Sequence, residues 1–154
     1  MIPRDMRSFA AFAHDVVVAL AAWYASFWLR FNFDIPELYL GSMFDSLPWV
    51  VALQSAIFLG LGLYRGIWRY ASVLDLYRIV SAAALSTLAI SAVVFFTYFG
   101  NIPRSVLLLD PLLLVVAMGG SRLAYRAWKE KGRLSLGAIP VLILGAGDAA
   151  SDLL

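Results

Sequence analysis

Four long apolar blocks follow one another along the chain, separated by short segments that hold most of its charges, prolines and glycines. Each block approaches the roughly 20 residues that an α-helix needs to span the apolar core of a bilayer. The predicted spans cover residues 9–29, 48–64, 79–99 and 105–125. The segment from Arg30 to Leu47 carries three carboxylates and one arginine, and we expect it to form a loop on the outer side. The pattern predicts an all-α membrane protein, a four-transmembrane-helix bundle, over residues 1–134.

Composition supports a membrane protein and excludes several other classes. Of the 154 residues, 62% are hydrophobic and 14% are charged, and the mean hydropathy is +0.83. A soluble domain has about 45–50% apolar and about 25% charged residues, and a disordered chain has still fewer apolar ones. The chain has no cysteine and one histidine, which excludes disulfides, thiol catalysis and a histidine-rich metal site. We therefore expect no metal ligands, and we assign no catalytic residues.

Basic residues are distributed unevenly between the two predicted sides of the membrane. With the N-terminus inside, ten lysines and arginines lie on the inner side and two, Arg30 and Arg104, on the outer side. The ten are Arg4, Arg7, Arg65, Arg69, Arg78, Arg122, Arg126, Lys129, Lys131 and Arg133. Cytoplasmic loops carry such an excess, so we expect both termini to be cytoplasmic. The net charge of +2 then reflects membrane orientation, not binding of nucleic acid.

The start of the chain also has features of a signal peptide. Arg4 and Arg7 precede an apolar region, and residues 19–21 offer a small-residue cleavage site. However, Asp15 interrupts the apolar region, which continues to Trp28. We therefore expect an uncleaved first span.

A different pattern begins after the fourth span, at residues 138–154. An apolar run at 139–144 predicts a β-strand, and Gly145, Gly147 and Ala150 follow it. A strand followed by glycines at this spacing opens a Rossmann-like unit, in which the backbone approaches a pyrophosphate at a helix N-terminus. These three residues are the candidate cofactor-binding residues. The acidic residue expected about 20 positions later has no counterpart here, so we expect a truncated nucleotide-binding domain that binds no cofactor by itself.

Asp110 is the charged residue predicted to lie inside the outer half of the bilayer. It is six residues beyond Arg104, and therefore roughly 9 Å deeper along the helix. A carboxylate at this depth needs a partner, a proton or a wet cavity. Arg30 and Arg104 are the basic residues at a suitable depth. We expect a structural ion pair with one of them, and the alternative is a site for an anionic ligand or a proton relay.

At the opposite side, His14 and Asp15 are predicted to lie within two turns of the inner surface. Arg78 and Arg122 are at a similar depth. We expect a structural clamp between these helices. A catalytic dyad is the alternative.

Small and uncharged polar residues predict how the helices pack. Ala83, Thr87 and Ser91 repeat every four residues in the third span, as do Ala117 and Ser121 in the fourth. Such stripes allow helices to approach closely, and they favour a packed bundle over a channel.

Gln54 is a single polar residue within the second span. An interhelical hydrogen bond is the expected role for an amide in this position.

Several of these segments together resemble the N-terminal membrane region of CapD-like polysaccharide biosynthesis proteins, which are membrane-bound nucleotide-sugar 4,6-dehydratases. The matching segments are Asp15 followed by LRF at 29–31, GLYRGIWRY at 62–70, IPRSV at 102–106 with Asp110, GSRL at 120–123 with Arg126, and VLILGAG at 141–147. The order and spacing of these segments resemble those of the family over almost the whole chain.

The resemblance implies a membrane anchor whose catalytic domain is absent from this chain. In that family two Rossmann-like domains follow the membrane region, and the second binds NAD(P) and a UDP-sugar. No catalytic residue of the family can be transferred to this sequence, and we expect the chain alone not to be an enzyme. The implied location is the bacterial inner membrane, and the implied partners are the lipid bilayer, enzymes acting on polyprenyl-linked sugars and other copies of the chain.

Two alternatives remain open at this point. One is the membrane module of an initiating polyprenyl-phosphate sugar-phosphate transferase. The other is a non-enzymatic helix bundle that binds a lipid or a partner protein.

Overall fold

The computed structural model describes residues 4–64, 73–97 and 101–134, and these form four helices joined by short connections. The helices are α1 (Arg4–Arg30), α2 (Glu37–Gly60), α3 (Val73–Thr97) and α4 (Arg104–Leu134). The described residues contain no strand. All four helices are long and apolar enough to cross a membrane, over Ser8–Arg30, Glu37–Gly60, Asp75–Thr97 and Arg104–Trp128. The chain therefore has the architecture of a multi-pass membrane protein.

The four helices form a closed ring around one core. Each helix packs against its neighbours in sequence, and α4 also packs against α1. Successive helices run antiparallel, since Phe58 near the end of α2 packs in one cluster with Ile79 near the start of α3 and with Met118 in the second half of the α4 span Arg104–Trp128. The bundle thus has a terminus end, where α1 begins and α4 ends, and an opposite end, where α1 ends and α4 begins.

Helix α2 differs most from the sequence prediction. It begins at Glu37, so the loop expected from Arg30 to Leu47 is reduced to residues 31–36. Pro48, expected at the start of the span, lies inside the helix. A proline within a membrane helix is tolerated because neighbouring groups satisfy the carbonyl that it leaves free. Pro36 provides the helix boundary instead, with an extended backbone at φ −61° and ψ 144°.

The ends of α1 and α2 are fixed by the same local structure. After α1, Asn32 adopts a positive φ of 58°, and the Phe33 N–H donates to the Trp28 carbonyl at 2.8 Å. After α2, Gly62 has a φ of 67°, and the Leu63 N–H donates to the Phe58 carbonyl at 3.2 Å. Both are Schellman motifs, which glycine and asparagine favour because they tolerate left-handed backbone. The local sequence therefore sets where each helix stops.

Two apolar clusters form the core, one toward each end of the bundle. The first core cluster, toward the terminus end, contains Ala19, Ala22, Val51, Phe58, Leu63, Ile79, Ala82, Leu114 and Met118. The second core cluster, toward the opposite end, contains Trp23, Phe27, Met43, Val50, Ile90, Ile102 and Val106. All four helices contribute to each cluster.

The outer surface of the bundle is also apolar. Large side chains that are at least 60% exposed include Val17, Leu88, Phe95, Leu108, Leu112 and Val116. A soluble protein rarely exposes so much contiguous apolar surface. Lipid chains are the environment that suits this surface.

The small-residue stripes coincide only in part with the buried faces. Ala83 is buried, but Thr87 and Ser91 are half-buried and Ala117 is exposed. The side chains that face the core on α3 are instead Ile79, Ala82, Ala83, Ser86 and Ile90. The four-residue spacing was a correct guide to helix geometry, but it did not identify which stripe faces inward.

Candidate functional site

Helix α4 carries two charged residues on the stripe that faces the core. The stripe contains Val106, Asp110, Leu114, Met118 and Arg122, and all five are buried. Their spacing of four residues places them on one face of the helix. The apolar members contribute to the two core clusters, so the charged members are drawn into the bundle together with them.

Arg122 forms a buried ion pair with Asp15 of α1 near the terminus end. The Arg122 Nη2 donates to Asp15 Oδ2 at 3.0 Å, and the Asp15 and Arg122 side chains are 1% and 9% exposed. His14 Nδ1 lies 3.0 Å from the other carboxylate oxygen, and its side chain is 44% exposed. The clamp expected of His14 and Asp15 with Arg78 and Arg122 is confirmed for Asp15 and Arg122. Arg78 does not join it but lies 3.8 Å from Asp75 on its own helix.

Tyr64, just beyond α2, packs at the same end. Its ring meets the Phe12 ring edge-on, with centroids 5.6 Å apart. Burial raises the pKa of the Tyr64 hydroxyl above its usual value, and the negative charge of Asp15 raises that pKa further. The hydroxyl therefore remains protonated beside the carboxylate, and the cluster holds a single formal anion, Asp15, opposite Arg122.

Asp110 has a different partner from the one that the sequence predicted. Its Oδ2 accepts a hydrogen bond of 2.6 Å from Gln54 Nε2, and both residues are at most 1% exposed. Arg30 is exposed and lies over the Phe31 ring, 5.6 Å from its centroid. Arg104 is exposed as well. The expected ion pair with Arg30 or Arg104 is wrong, because both arginines extend outward while Asp110 faces the core.

The Gln54–Asp110 hydrogen bond joins α2 to α4 across the centre of the ring. These two helices are diagonal in the bundle, since each packs against α1 and α3. The interhelical hydrogen bond expected of Gln54 is confirmed. A contact of this kind holds opposite helices in register, and side-chain packing around the ring cannot do so directly.

Ser86 of α3 occupies the corresponding position along its helix, between the two core clusters. Each of the three residues is one helical turn from a member of each core cluster: Gln54 between Val50 and Phe58, Ser86 between Ala82 and Ile90, and Asp110 between Val106 and Leu114. We call Gln54, Ser86 and Asp110 the central polar layer. It separates the two apolar clusters and draws on three of the four helices.

The central polar layer contains oxygen atoms that lack a hydrogen-bond partner. Within the described part of the chain, Asp110 Oδ1, Gln54 Oε1 and Ser86 Oγ are buried and unpaired. Buried polar atoms are normally hydrogen-bonded, so each exception calls for a physical reason, such as binding of an ion or water or a functional role. Sequence reasoning found Gln54 and Asp110 but missed Ser86, because a serine in a membrane helix usually bonds its own backbone.

A second polar contact joins α1 and α2 nearer the opposite end. The Trp23 Nε1–H donates to Ser46 Oγ at 3.0 Å, and both residues are fully buried. Ser46 in turn donates to the Met43 carbonyl at 3.0 Å. Every donor in this pair has an acceptor, so it serves packing and offers nothing to a ligand.

The predicted nucleotide-binding corner cannot be placed. The apolar run at 139–144 and the candidate cofactor residues Gly145, Gly147 and Ala150 lie outside the described residues. Among the described residues, no group of three or more histidine, cysteine, aspartate or glutamate side chains is arranged to hold a metal ion.

Comparison of the chain with protein-family models, with curated proteins and with solved structures finds no match in any of the three.

Proposed function

We propose that this chain is the membrane anchor of a nucleotide-sugar dehydratase- or epimerase-type protein of surface polysaccharide synthesis, located in the bacterial inner membrane. The observation that carries the proposal is the role of the polar residues in the family-like segments. Asp15, Asp110 and Arg122 belong to those segments, and the bundle buries and pairs each of them. The segments therefore build a membrane bundle, which is the part that an anchor requires.

The shape of the bundle fits this task. An even number of spans brings both ends of the described chain to the terminus end, the side for which the sequence predicts ten of the twelve basic residues. Helix α4 continues from Trp128 to Leu134, beyond its apolar window. Six further residues extend a helix by about 9 Å, which carries the chain clear of the bilayer core. A domain attached there is held beside the cytoplasmic membrane surface.

Topology is tested with single cysteines, since the natural chain has none. Asp34→Cys places a thiol in the exposed loop between α1 and α2, and Ser72→Cys places one before α3. On intact cells, a membrane-impermeant maleimide should label the variant at position 34 and not the one at position 72. Both should react after the cells are opened. Labelling of position 72 alone on intact cells contradicts cytoplasmic termini.

The anchoring role is tested in the host by an in-frame deletion of residues 8–128. We expect UDP-sugar 4,6-dehydratase activity to move from the membrane to the soluble fraction and the surface polysaccharide to decrease. The full chain, purified in detergent, should neither bind NAD(P) in a calorimetric titration nor convert UDP-sugars. Micromolar NAD(P) binding that is lost in Gly147→Val would show that residues 138–154 form a working cofactor site.

Two results would favour the alternatives. Loss of sugar-phosphate transfer to polyprenyl phosphate, with dehydratase activity unchanged, indicates the membrane module of an initiating transferase. If the deletion changes neither the amount of surface polysaccharide nor the membrane and soluble fractions of the enzyme activity, both the dehydratase anchor and the transferase module are contradicted. A bundle that binds a lipid or a partner protein is then the remaining alternative.

A further inference from the structure

We infer that the central polar layer is a binding site for one alkali-metal cation, coordinated by Asp110 Oδ1, Gln54 Oε1 and Ser86 Oγ. Within the described part of the chain, the hydrogen bond to the Asp110 carboxylate comes from the neutral amide of Gln54, at 2.6 Å. An ionised carboxylate in a bilayer core requires a compensating positive charge.

No basic residue in the described part of the chain forms an ion pair with this carboxylate. On α4, Arg104 is exposed, and Arg122 lies twelve residues further on, roughly 18 Å along the helix axis, with Asp15 as its partner. Within the described part of the chain, no basic side chain therefore supplies the charge that would balance an ionised Asp110.

The unpaired atoms determine which kind of positive charge fits. All three are oxygens, and two of them, Asp110 Oδ1 and Gln54 Oε1, accept but cannot donate a hydrogen bond. A proton on Asp110 would neutralise the carboxylate and supply one hydrogen-bond donor, which leaves the Ser86 hydroxyl as the only other donor among these unpaired atoms. A water molecule would supply hydrogen bonds but no charge. A bound cation satisfies the charge and all three oxygens together.

The number of carboxylates in the layer selects a monovalent ion. Divalent cations take carboxylate-rich oxygen sites, and Mg²⁺ gives up its water shell only reluctantly. Here one carboxylate, one amide and one hydroxyl carry a total charge of −1, which a single alkali-metal ion balances. Unlike a surface site, the layer lies between two apolar clusters and is 0–1% exposed.

The test measures cation-dependent stability of the full chain purified in detergent. Thermal unfolding is followed by tryptophan fluorescence while NaCl replaces choline chloride at constant ionic strength and pH, with LiCl and KCl as parallel series. A ligand that binds only the folded state raises the melting temperature with its concentration, by about 5–11 °C at one hundred times its Kd for a chain of this size. We expect such a rise with at least one alkali ion. We also expect one equivalent of that ion to bind per chain, measured with ²²Na⁺ if the ion is sodium or with a radioactive isotope of the ion that is effective.

Variants then test whether the cation binds at the central polar layer. Asp110→Asn keeps the shape of the side chain, and it should abolish the cation-dependent rise. Ser86→Ala should weaken the apparent affinity at least tenfold. Asp34→Asn, which removes an exposed carboxylate, is the control and should retain the full response. Because Asp110→Asn itself changes stability, the quantity compared is the difference between sodium and choline within each variant. If Asp110→Asn does not fold, Ser86→Ala and direct ion binding to the natural chain decide the question.

Three outcomes overturn the inference. The first is a melting temperature that is the same in choline and in every alkali chloride. The second is an Asp110→Asn variant that keeps the response. The third is a stability that changes with pH but not with cation identity, which would assign the neutralising charge to a proton.

Discussion

Removing Arg122 should destabilise the bundle strongly, because it leaves the Asp15 carboxylate buried without its cation. The carboxylate is 1% exposed, and Arg122 Nη2 contacts it at 3.0 Å. Breaking a buried ion pair from one side costs about 3–5 kcal/mol. For a chain of 150–250 residues, 1 kcal/mol corresponds to about 2–4 °C, so Arg122→Met should lower the melting temperature by about 6–20 °C. His14 Nδ1 also lies 3.0 Å from the Asp15 carboxylate, and this contact limits the loss.

The assay is thermal unfolding in detergent for a double-mutant cycle. Asp15→Asn in the background of Arg122→Met removes the stranded charge, so the double variant should be more stable than Arg122→Met alone. Arg78→Met is the matched control. Its ion pair with Asp75 is longer, at 3.8 Å, and half-exposed, and such a pair contributes about 0–1 kcal/mol. The reasoning is refuted if Arg122→Met and Arg78→Met have the same effect, or if the double variant is no more stable than Arg122→Met.

Three further predictions concern other parts of the bundle. Ser46→Ala leaves the buried Trp23 indole N–H without an acceptor and should lower the free energy of unfolding, measured with a chemical denaturant, by about 1–3 kcal/mol. Ser55→Ala, at a half-buried position, is the control and should lower it less. Above about pH 10 the unfolded chain loses its tyrosine protons while Tyr64 in the folded chain keeps its own, so the free energy of unfolding should fall as pH rises. The fall should be less steep in Tyr64→Phe, and identical pH profiles of the two chains would contradict this. Gly120→Ala should raise the melting temperature, since its Cβ meets no atom within 4 Å and alanine favours a helix by up to about 1 kcal/mol; a decrease would show that another surface covers this position.

Much of this architecture can be predicted from the sequence. A bilayer requires long apolar helices, so four apolar blocks specify four membrane helices whatever their packing. Helix ends are local as well, since Gly62 and Asn32 tolerate the left-handed backbone that ends a helix. The Asp15–Arg122 pair could also be expected, because both residues lie at a similar depth near the terminus end and have opposite charges.

The partner of Asp110 could not be predicted in the same way. Depth along the chain placed Arg30 and Arg104 near it, but rotation about each helix axis decides whether a side chain faces the core or the lipid. That rotation is set by all apolar contacts of a helix together, and here it directs both arginines outward and brings Gln54 across the ring.

The length of α2 and the position of Ser86 likewise depend on tertiary structure. The polar and glycine-containing segment at 37–47 has the composition of a loop, yet it is helical in the bundle, where Met43 and Ser46 are buried and Ser46 binds Trp23. Ser86 gains its significance only from the packing of α3 into the bundle, which buries it between the two core clusters, as Asp110 is on α4. Sequence thus determines which segments become membrane helices, because that depends on transfer of each segment into lipid. Packing determines which polar groups meet, because that depends on the register and rotation of helices far apart in the chain.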